Sequence, residues 1–243
     1  MSYVLIVGAK SDIAKELARV YAKNGYNLYL AGRDIKKLED FQNDIKIRSN
    51  IDVQLKELDI ADFNNHEDFY NSLEPKPLGV IVVSGYMAEQ KECEKDFTKT
   101  LNTINVNYTG AVSLLNIVAN DMEQNKNGFI VGVSSVAGDR GRKANYIYGS
   151  SKAAFTAYLS GLRNRLHESG VKVLTVKPGF VATKMTEGLD LPEKLTAQPE
   201  EVASDIYNAQ QKRKDVLYTK GIWRFIMMII KMIPEWKFKG MSL

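Results

Sequence analysis

The stretch Tyr3-Val4-Leu5-Ile6-Val7-Gly8-Ala9-Lys10-Ser11-Asp12-Ile13-Ala14 decides the fold. Five apolar residues, enough for a short buried strand, run into a glycine and then into a segment with helical periodicity. A strand that passes through a glycine turn into a helix is typical of a nucleotide-binding α/β sheet, because the N–H groups that begin the helix can bind a pyrophosphate. With a single glycine, Gly8, an ordinary strand-to-helix turn capped by Ser11 or Asp12 is the equal alternative.

Short apolar runs and longer amphipathic segments alternate along the rest of the chain. The apolar runs predict strands at residues 3–7, 27–31, 53–58, 78–83, 129–133, 171–176 and 216–218. The amphipathic segments predict helices at residues 11–24, 35–48, 63–73, 96–123, 146–168 and 199–212. Such alternation indicates βαβ units with helices on both faces of a parallel sheet. We therefore predict a single-domain, Rossmann-type, doubly wound α/β fold of about seven strands at residues 1–220, followed by an apolar helical extension at residues 221–243.

The composition is that of an ordinary globular protein, with 44% hydrophobic and 26% charged residues among 243. A net charge of +4 is too small to indicate a nucleic-acid partner. The single cysteine, Cys93, excludes an internal disulfide, and no secretory signal opens the chain, so a cytoplasmic location is expected. No apolar run reaches the roughly 18 residues of a membrane span. No residues have metal-ligand spacing, and His66 and His167 are expected at the surface.

A candidate acid–base pair lies in the run Tyr146-Ile147-Tyr148-Gly149-Ser150-Ser151-Lys152. Tyr148 and Lys152 are four residues apart, which places them on one face of a helix. A free phenol titrates near pH ~10, and a nearby ammonium would lower its pKa toward the range useful for proton transfer. Tyr146 competes for this role but lies six residues before Lys152, which fits the helix face badly. A surface tyrosine with a solvated lysine is the alternative.

The end of the second predicted strand, Ala31-Gly32-Arg33, indicates which dinucleotide would bind. Many dinucleotide folds place an acid there to hold the ribose hydroxyls. A guanidinium instead suits a 2′-phosphate, which it binds with paired hydrogen bonds, and Lys10 adds positive charge. NADP(H) is therefore expected rather than NAD(H), unless Arg33 is a solvated loop residue.

These motifs and several others, in the right order, resemble the short-chain dehydrogenase/reductase family over residues 3–220. Asn107, Ser135, Tyr148 and Lys152 fill the four positions of the family's catalytic set, with Ser135 thirteen residues before Tyr148. The resemblance implies cofactor contacts from the glycine turn, from the ends of the next strands and from the loop that starts at Pro178. These contacts are Gly8, Lys10, Ser11, Asp12, Ile13, Arg33, Asp59, Ile60, Ser84, Gly85, Tyr148, Lys152, Pro178, Gly179, Val181 and Thr183.

The sequence departs from the family pattern at two places. Val7, Asp12 and Ala14 replace the usual threonine and the last two glycines of the turn. Val82-Val83-Ser84-Gly85 stands where the family has Asn-Asn-Ala-Gly, a motif that stabilises the central sheet and backs the cofactor. An acid at Asp12 is awkward beside a pyrophosphate unless its side chain caps the helix or points outward. These departures question the local geometry rather than the chemistry.

The resemblance implies reduction of a ketone by hydride transfer from NADPH. Tyr148 would give its proton to the developing alkoxide, and Ser135 would hydrogen-bond the carbonyl oxygen. Lys152 would lower the pKa of Tyr148 and bind the nicotinamide ribose, and Asn107 would hold a water that relays protons to Lys152. The alternatives are a strand-end cap for the serine, or for its neighbour Ser134, and a satisfied core amide for Asn107.

The chain continues past the last predicted strand with an apolar segment. As a helix, residues 222–233 would be apolar nearly all round, broken only by Arg224 and Lys231. Trp223 and Trp236 bracket it and lysines flank it, which is typical of a helix in a membrane interface. Packing on its own domain or on a partner subunit is the alternative, because such an exposed patch would be unusual on a monomer.

This tail, together with the Ser-Asp-Ile-Ala turn, is similar to a subgroup of the family that reduces a 2-keto pentose carried on a polyprenyl phosphate. The similarity implies reduction of a keto-sugar, in a lipid-linked form, during cell-surface polysaccharide synthesis, with peripheral contact at the inner membrane face through residues 221–239. A homodimer or homotetramer built on the two long helices is expected from the family, and residues 184–197 are expected to cover the substrate. The alternatives are a generic carbonyl or 3-oxoacyl reductase and a non-catalytic NADP-binding interaction protein.

Overall fold

The core of the molecule is a parallel sheet, seen in a computed structural model that describes residues 1–188 and 190–241. The strands are β1 (Tyr3–Val7), β2 (Asn27–Gly32), β3 (Val53–Glu57), β4 (Gly79–Val82), β5 (Phe129–Val133), β6 (Lys172–Pro178), β7 (Phe180–Val181), β8 (Thr196–Ala197) and β9 (Val216–Thr219). Seven of these strands form one sheet in the order β3-β2-β1-β4-β5-β6-β9, with each pair parallel. The strand order reverses between β1 and β4, and ligands of open α/β sheets bind at such a switch point, beyond the carboxyl ends of the strands.

Helices cover both faces of this sheet. They are α1 (Asp12–Lys23), α2 (Glu39–Ser49), α3 (His66–Asn71), α4 (Gln90–Lys95), α5 (Phe97–Ile104), α6 (Gly110–Asn125), α7 (Tyr146–Arg165), α8 (Pro199–Gln211), α9 (Ile222–Met232) and α10 (Glu235–Phe238). One apolar core joins the sheet to α1, α2 and α8, and a second joins its other face to α3, α6 and α7. The predicted doubly wound α/β fold is confirmed.

The helix predicted at residues 96–123 is not regular along its length. It consists of α5, a π-helical turn at Asn105–Thr109, and α6. A π turn inserts one extra residue, which shifts the helix face that follows it. The turn contains Asn107, whose side chain is buried. This irregularity has no signature in the hydrophobic periodicity, so the sequence did not indicate it.

The expectation that His66 lies at the surface is wrong. Its side chain is fully buried, and its Nδ1 is 2.9 Å from the Ser113 hydroxyl on α6. Burial lowers the pKa of this imidazole. The short helix α3 packs against α6, and this tertiary contact buries a residue that local sequence polarity places outside.

The C-terminal segment folds onto the domain through one side only. Trp223 and Met227 of α9 are buried with Val136 and Phe180 in a small separate core. The other side of α9, continued by α10, exposes apolar side chains: Ile222, Phe225, Met228, Ile229, Met232 and Trp236. No helix within residues 1–188 and 190–241 combines the length and apolar character that crossing a bilayer requires. One face of α9 packs on its own domain, as one interpretation of the sequence expected. The prediction of a membrane interface concerns only the other, exposed face.

Candidate active site

The turn between β1 and α1 has the geometry of a phosphate-binding turn. Gly8 has a φ of +86°, and a Cβ built on it would lie 2.6 Å from the backbone nitrogen of Ser84. Only glycine fits there, because the turn presses against the end of β4. The Ser11 hydroxyl accepts a hydrogen bond from the Ala14 N–H at 3.2 Å and so caps α1. The other N–H groups of the first turn lack helical partners and suit an anion.

The Asp12 carboxylate is directed to another part of the chain. Its Oδ2 accepts a hydrogen bond of 2.9 Å from the backbone N–H of Lys184, in the loop after β7. This contact resolves the difficulty that the sequence raised, because the Asp12 charge is bound to the loop that was expected to cover the substrate. Asp12 thus joins the turn after β1 to the loop after β7.

The predicted adenosine contacts lie at the ends of β2 and β3, outside the main cavity. Arg33 Nη1 is 3.8 Å from Asp59 Oδ2, and 64% of the Arg33 side chain is exposed. Lys10 forms an ion pair of 3.0 Å with Asp34. Ile60 is buried in the core. Both cations that were predicted to bind a 2′-phosphate thus lie beside a carboxylate, Lys10 in the lining of the cavity and Arg33 outside it.

The hydroxyl of Ser84, at the end of β4, is buried without a hydrogen-bond partner among the described residues. It adjoins the glycine turn, because the Ser84 backbone is what a Cβ on Gly8 would meet. An unpaired buried hydroxyl beside an anion-binding turn is the observation that we take to fit a bound dinucleotide.

The two adjacent serines after β5 have different partners. The Ser134 hydroxyl donates to the Lys152 carbonyl at 2.9 Å and also lies 2.7 Å from the Thr156 hydroxyl, so it ties β5 to α7. The Ser135 oxygen accepts from the Ala137 N–H at 3.1 Å. An accepting hydroxyl keeps its proton free to donate. Ser135 therefore has the hydrogen that a substrate oxygen needs.

Tyr148 and Lys152 line the same cavity as Ser135. The Lys152 Nζ lies 5.9 Å from the centre of the Tyr148 ring and donates to the Val133 carbonyl at 3.0 Å. The competing Tyr146 is exposed, and its hydroxyl donates to Glu94 at 3.1 Å. The structure thus brings together the pair that the spacing predicts.

The direction of the tyrosine pKa differs from the expectation. Burial raises the pKa of Tyr148 above its ordinary value, and the nearby Ser135 hydroxyl opposes that rise. Burial also lowers the pKa of Lys152 to about 8. The charge of Lys152 is not among the causes that offset this rise, because burial disfavours the charged form of the lysine itself. A raised pKa keeps the phenol protonated, as a proton donor requires.

Asn107, on the π-helical turn, uses its side chain to hold other residues in place. Its amide donates to the Tyr86 carbonyl and accepts from the Tyr86 N–H, both at 2.8 Å, and donates to the Ser151 hydroxyl at 3.1 Å. These bonds fix the segment after β4 beside the catalytic helix α7. The side chain is a satisfied core amide, as one interpretation of the sequence expected.

Ser135, Tyr148 and Lys152, which the sequence predicts to be catalytic, line a cavity of about 380 Å³. Most of the cofactor and catalytic residues that the sequence predicted line it, namely Lys10, Ser11, Asp12, Ile13, Gly85, Ser135, Tyr148, Lys152, Pro178, Gly179, Val181 and Thr183. Gly8, Arg33, Asp59, Ile60, Ser84 and Asn107 lie outside its lining. Within the described residues, no group of His, Cys, Asp and Glu is arranged to hold a metal ion.

Sequence reasoning missed several residues of this cavity. Arg142 and Asn145 line it, and they precede Tyr148 by six and three residues. Met185 and Phe180 line it from the opposite loop. Their position in the chain could have indicated Arg142 and Asn145, since residues 139–145 connect Ser135 to the start of α7.

The C-terminal helix forms part of the support for this site. A Cβ on Gly179 would lie 1.9 Å from Trp223 Nε1, so the indole occupies the space that a side chain would need. The same Nε1 donates to the Leu195 carbonyl at 3.0 Å, and the Trp223 ring meets Phe180 edge-on with centroids 5.0 Å apart. α9 thus holds the loop that lines the cavity and the segment expected to cover the substrate.

Comparisons with known proteins agree with this geometry. A family model described as short chain dehydrogenase matches residues 2–194. The chain is 35% identical over 241 residues to an uncharacterized oxidoreductase of Mycobacterium tuberculosis, covering 98% of this chain and 96% of that protein.

Two solved structures share the fold. A short-chain dehydrogenase from Sphingobium yanoikuyae in complex with NADPH has a TM-score of 0.84 and 23% identity, over 100% of this chain and 99% of that one. A 3-oxoacyl-[acyl-carrier protein] reductase from Brucella melitensis has a TM-score of 0.79 and 19% identity, over 89% of each chain.

Proposed function

Because this chain belongs to the short-chain dehydrogenase family of oxidoreductases, we propose that it reduces a ketone to a secondary alcohol with NADPH. One observation carries this proposal. Ser135, Tyr148 and Lys152 line the same cavity as the first turn of α1, so that a proton donor and an anion-binding helix end serve one site. The bound cofactor would supply the hydride.

The protein's own residues would supply the proton and stabilise charge. Tyr148 keeps its proton at neutral pH because burial raises its pKa, and it would donate that proton to the substrate oxygen. Ser135 would donate a hydrogen bond to the same oxygen as negative charge develops on it. Lys152, cationic below a pKa of about 8, would add positive potential. Asn107 would hold the segment after β4 in place and, as we also propose, a proton-relaying water.

Exchange of Tyr148 for phenylalanine tests the reaction. NADPH oxidation with a panel of ketones and keto-sugars should fall about 10²- to 10⁴-fold in Tyr148→Phe, the range of a lost general acid. Tyr146→Phe is the matched control, since Tyr146 is exposed two residues away and should leave the rate unchanged. Equal rates in wild type and Tyr148→Phe would show that Tyr148 is not the acid, and a protein that binds NADPH without turnover would support the non-catalytic alternative.

We propose NADP(H) rather than NAD(H) on the basis of Arg33 and Lys10, which lie at the ends of β2 and β1. The Sphingobium structure, which holds NADPH, supports the same choice. NADPH should raise the melting temperature more than NADH does at equal concentration, because a ligand that binds more tightly stabilises the folded state more. Arg33→Gln should reduce this difference, whereas Lys37→Gln, an exposed neighbour, should not. A larger stabilisation by NADH would overturn the argument.

We further propose that the substrate is a keto-sugar presented at the inner face of the membrane, in lipid-linked form, for polysaccharide synthesis by a cytoplasmic enzyme. The exposed face of α9 supports this proposal, because Phe225, Ile229 and Met232 recur at helical spacing beside Arg224 and Lys231. Apolar side chains with flanking cations suit an anionic bilayer surface.

Liposome binding tests the membrane contact. The double variant Phe225→Ser, Ile229→Ser should bind vesicles that contain phosphatidylglycerol several-fold more weakly than wild type does. Ile47→Ser removes an even more exposed apolar side chain, 82% accessible, from α2 and is the control. Equal binding of all three proteins would contradict the interfacial role and would favour a generic carbonyl or 3-oxoacyl reductase, the reaction of the Brucella melitensis neighbour.

A homodimer or homotetramer through the long helices is also proposed. Phe97 and Leu101 of α5 are exposed next to α7, with 71% and 44% accessibility. Apolar residues at such positions suit a self-complementary interface. Light scattering after chromatography should show an oligomer for wild type and a smaller species for Phe97→Ser, Leu101→Ser. A monomeric wild type would contradict the proposal.

A further inference from the structure

The loop between the catalytic serine and the catalytic helix is held firmly in place. Asp139 accepts from Lys177 Nζ at 2.5 Å and from the Tyr218 hydroxyl at 2.7 Å, so both its oxygens are engaged. Arg140 donates to the carbonyls of Ile230 and Ile233 at 2.5 and 2.6 Å. The loop is thus joined to the sheet at one point and to α9 at another. Arg142 and Asn145, which come later in this loop, therefore have a fixed position at the edge of the cavity.

Arg142 in this loop has no such partners. It lines the cavity with Ser135 and Tyr148, and its Nε is buried without a hydrogen-bond partner. Within residues 1–188 and 190–241 its guanidinium forms neither a hydrogen bond nor an ion pair, whereas the other partly buried arginines, Arg140 and Arg163, form both. Burial accordingly lowers the pKa of Arg142, and Asp139, whose charge opposes this, is already engaged.

Asn145, three residues later, also has a buried polar atom without a hydrogen-bond partner among the described residues. Its Oδ1 is buried without a partner in the described part of the chain, and its side chain does not cap α7, which it precedes. It too lines the cavity. The N-terminus of a 20-residue helix adds partial positive charge at this point. Arg142 and Asn145 are both half-buried, and each thus has one buried polar atom without a partner among the described residues, on one wall of the cavity.

Such groups are costly unless a ligand completes them. A buried cation without a counter-ion loses its hydration, and a buried amide without a partner loses a hydrogen bond. A guanidinium offers a planar set of donors that matches a carboxylate or a phosphate. The protein supplies no carboxylate to fill that role among the described residues. The partner that Arg142 lacks is therefore an anion, whereas the Asn145 Oδ1 lacks a hydrogen-bond donor, and a ligand in the cavity could supply both.

We propose that Arg142 and Asn145 form an anion-binding subsite, so that the ketone substrate carries a carboxylate or a phosphate group. This inference rests on the proposed ketone reduction at the same cavity. The anionic group would bind at Arg142, and a hydroxyl or a protonated oxygen of the substrate would donate to Asn145. The anion would fix the distance between the reacting carbonyl and this wall, which makes Arg142 a specificity-determining residue.

Paired ketones that differ in one charge test the subsite. Acetoacetate and methyl acetoacetate form the carboxylate pair, and ribulose 5-phosphate and ribulose form the phosphate pair. In wild type, kcat/KM should favour the anionic member of at least one pair about tenfold or more. Arg142→Gln should lower kcat/KM for that anionic member about 30- to 100-fold, the usual effect of removing one side of a buried charge pair, and change the neutral member less than about threefold. The pair that responds identifies the anion.

Two further variants separate binding from disruption. Arg142→Lys keeps the charge without the planar donors and should fall between wild type and Arg142→Gln. Lys143→Gln removes an exposed cation one residue away and should leave the preference unchanged. Equal losses for neutral and anionic ketones in Arg142→Gln, or the same loss in Lys143→Gln, would overturn the subsite.

A binding measurement distinguishes this inference from the proposed reaction. Wild type and Arg142→Gln, each saturated with NADP⁺, would be titrated calorimetrically with acetoacetate and with ribulose 5-phosphate, a combination that cannot turn over. At least tenfold weaker binding of one anion to Arg142→Gln supports the subsite even if Tyr148→Phe shows the reduction proposal to be wrong. Equal binding of both anions to the two proteins overturns the subsite even if ketone reduction is established.

Discussion

The helices α7 and α9 both pack against the domain beside the cavity, but they differ in what they bring to it. α7 brings buried polar side chains to the cavity: the Lys152 Nζ donates to the Val133 carbonyl, and the Ser151 hydroxyl has two hydrogen-bond partners. α9 carries apolar side chains, of which Trp223 and Met227 are buried and most of the others are exposed. Both helices bury apolar side chains in the domain, but beside the cavity α7 acts through specific hydrogen bonds and α9 through shape and burial.

This difference teaches which kind of inference each region allows. A polar side chain buried in α7 must have a partner, so its presence constrains its neighbours strongly. An apolar side chain in α9 can face a core, a lipid or a subunit with the same chemistry. Substitutions in α9 should therefore change mainly stability, and substitutions in or beside α7 should change mainly activity.

The largest expected effect comes from the buried indole of α9. Trp223→Ala should lower the free energy of unfolding by about 3–5 kcal/mol, because it removes a 3% exposed side chain packed on Gly179. Trp236→Ala, at 75% exposure, should change it by less than about 0.5 kcal/mol. Urea denaturation measures both. Similar values for the two variants would mean that α9 is not docked as described.

The adjacent serines provide the next test, on the α7 side. Ser135→Ala should lower kcat about 100-fold or more, as loss of one hydrogen-bond donor to a developing oxyanion does. Ser134→Ala should leave kcat within a few-fold but cost about 1 kcal/mol of stability, because its hydroxyl bonds the Lys152 carbonyl. Steady-state kinetics and thermal melts measure the two effects. The assignment is wrong if Ser134→Ala is the less active variant.

The pH profile tests the buried lysine. The pKa of Lys152, about 8, lies below that of free lysine, so the cation is present below pH 8 and is lost as the pH rises through that value. Tyr148 stays protonated there because its pKa is raised. kcat/KM for ketone reduction should therefore fall above pH 8, approaching tenfold per pH unit. A profile that stays level from pH 7 to 9.5 would contradict a role for the lysine charge.

The smallest effect is expected on the exposed side of α9. Phe225→Ser with Ile229→Ser should leave the free energy of unfolding within about 0.5 kcal/mol of wild type, since both side chains are more than half exposed. Met227→Ser, at 0% exposure, is the contrasting variant and should be clearly destabilised. Strong destabilisation by the exposed pair would show that those side chains are covered in solution, as an oligomer interface would require.

The strands of the main sheet and the Tyr148–Lys152 pair were predictable from the sequence, because both produce a pattern within a single element. Parallel strands such as Tyr3–Val7 are buried on both faces, so they appear as continuous apolar runs. The four-residue interval from Tyr148 to Lys152 depends on local helix geometry, which can be derived from the sequence. Ser135 lies outside α7, and only the family resemblance indicated it. The hydrogen bond between the Asp12 carboxylate and the Lys184 N–H, in contrast, could not be predicted, because the two residues are 172 positions apart in the chain.

The sequence by itself indicated the seven strands of the main sheet, the spacing of Tyr148 and Lys152 on α7 and the basic residues after β1 and β2. These follow from periodicity and spacing along a single element, where neighbours are fixed by the backbone. Only the tertiary structure decided that the Ser134 hydroxyl ties β5 to α7, that burial raises the pKa of Tyr148, and that Arg142 lines the cavity with no partner among the residues that the structure describes. Desolvation and long-range pairing depend on which elements pack together, and a local sequence pattern does not indicate these tertiary contacts.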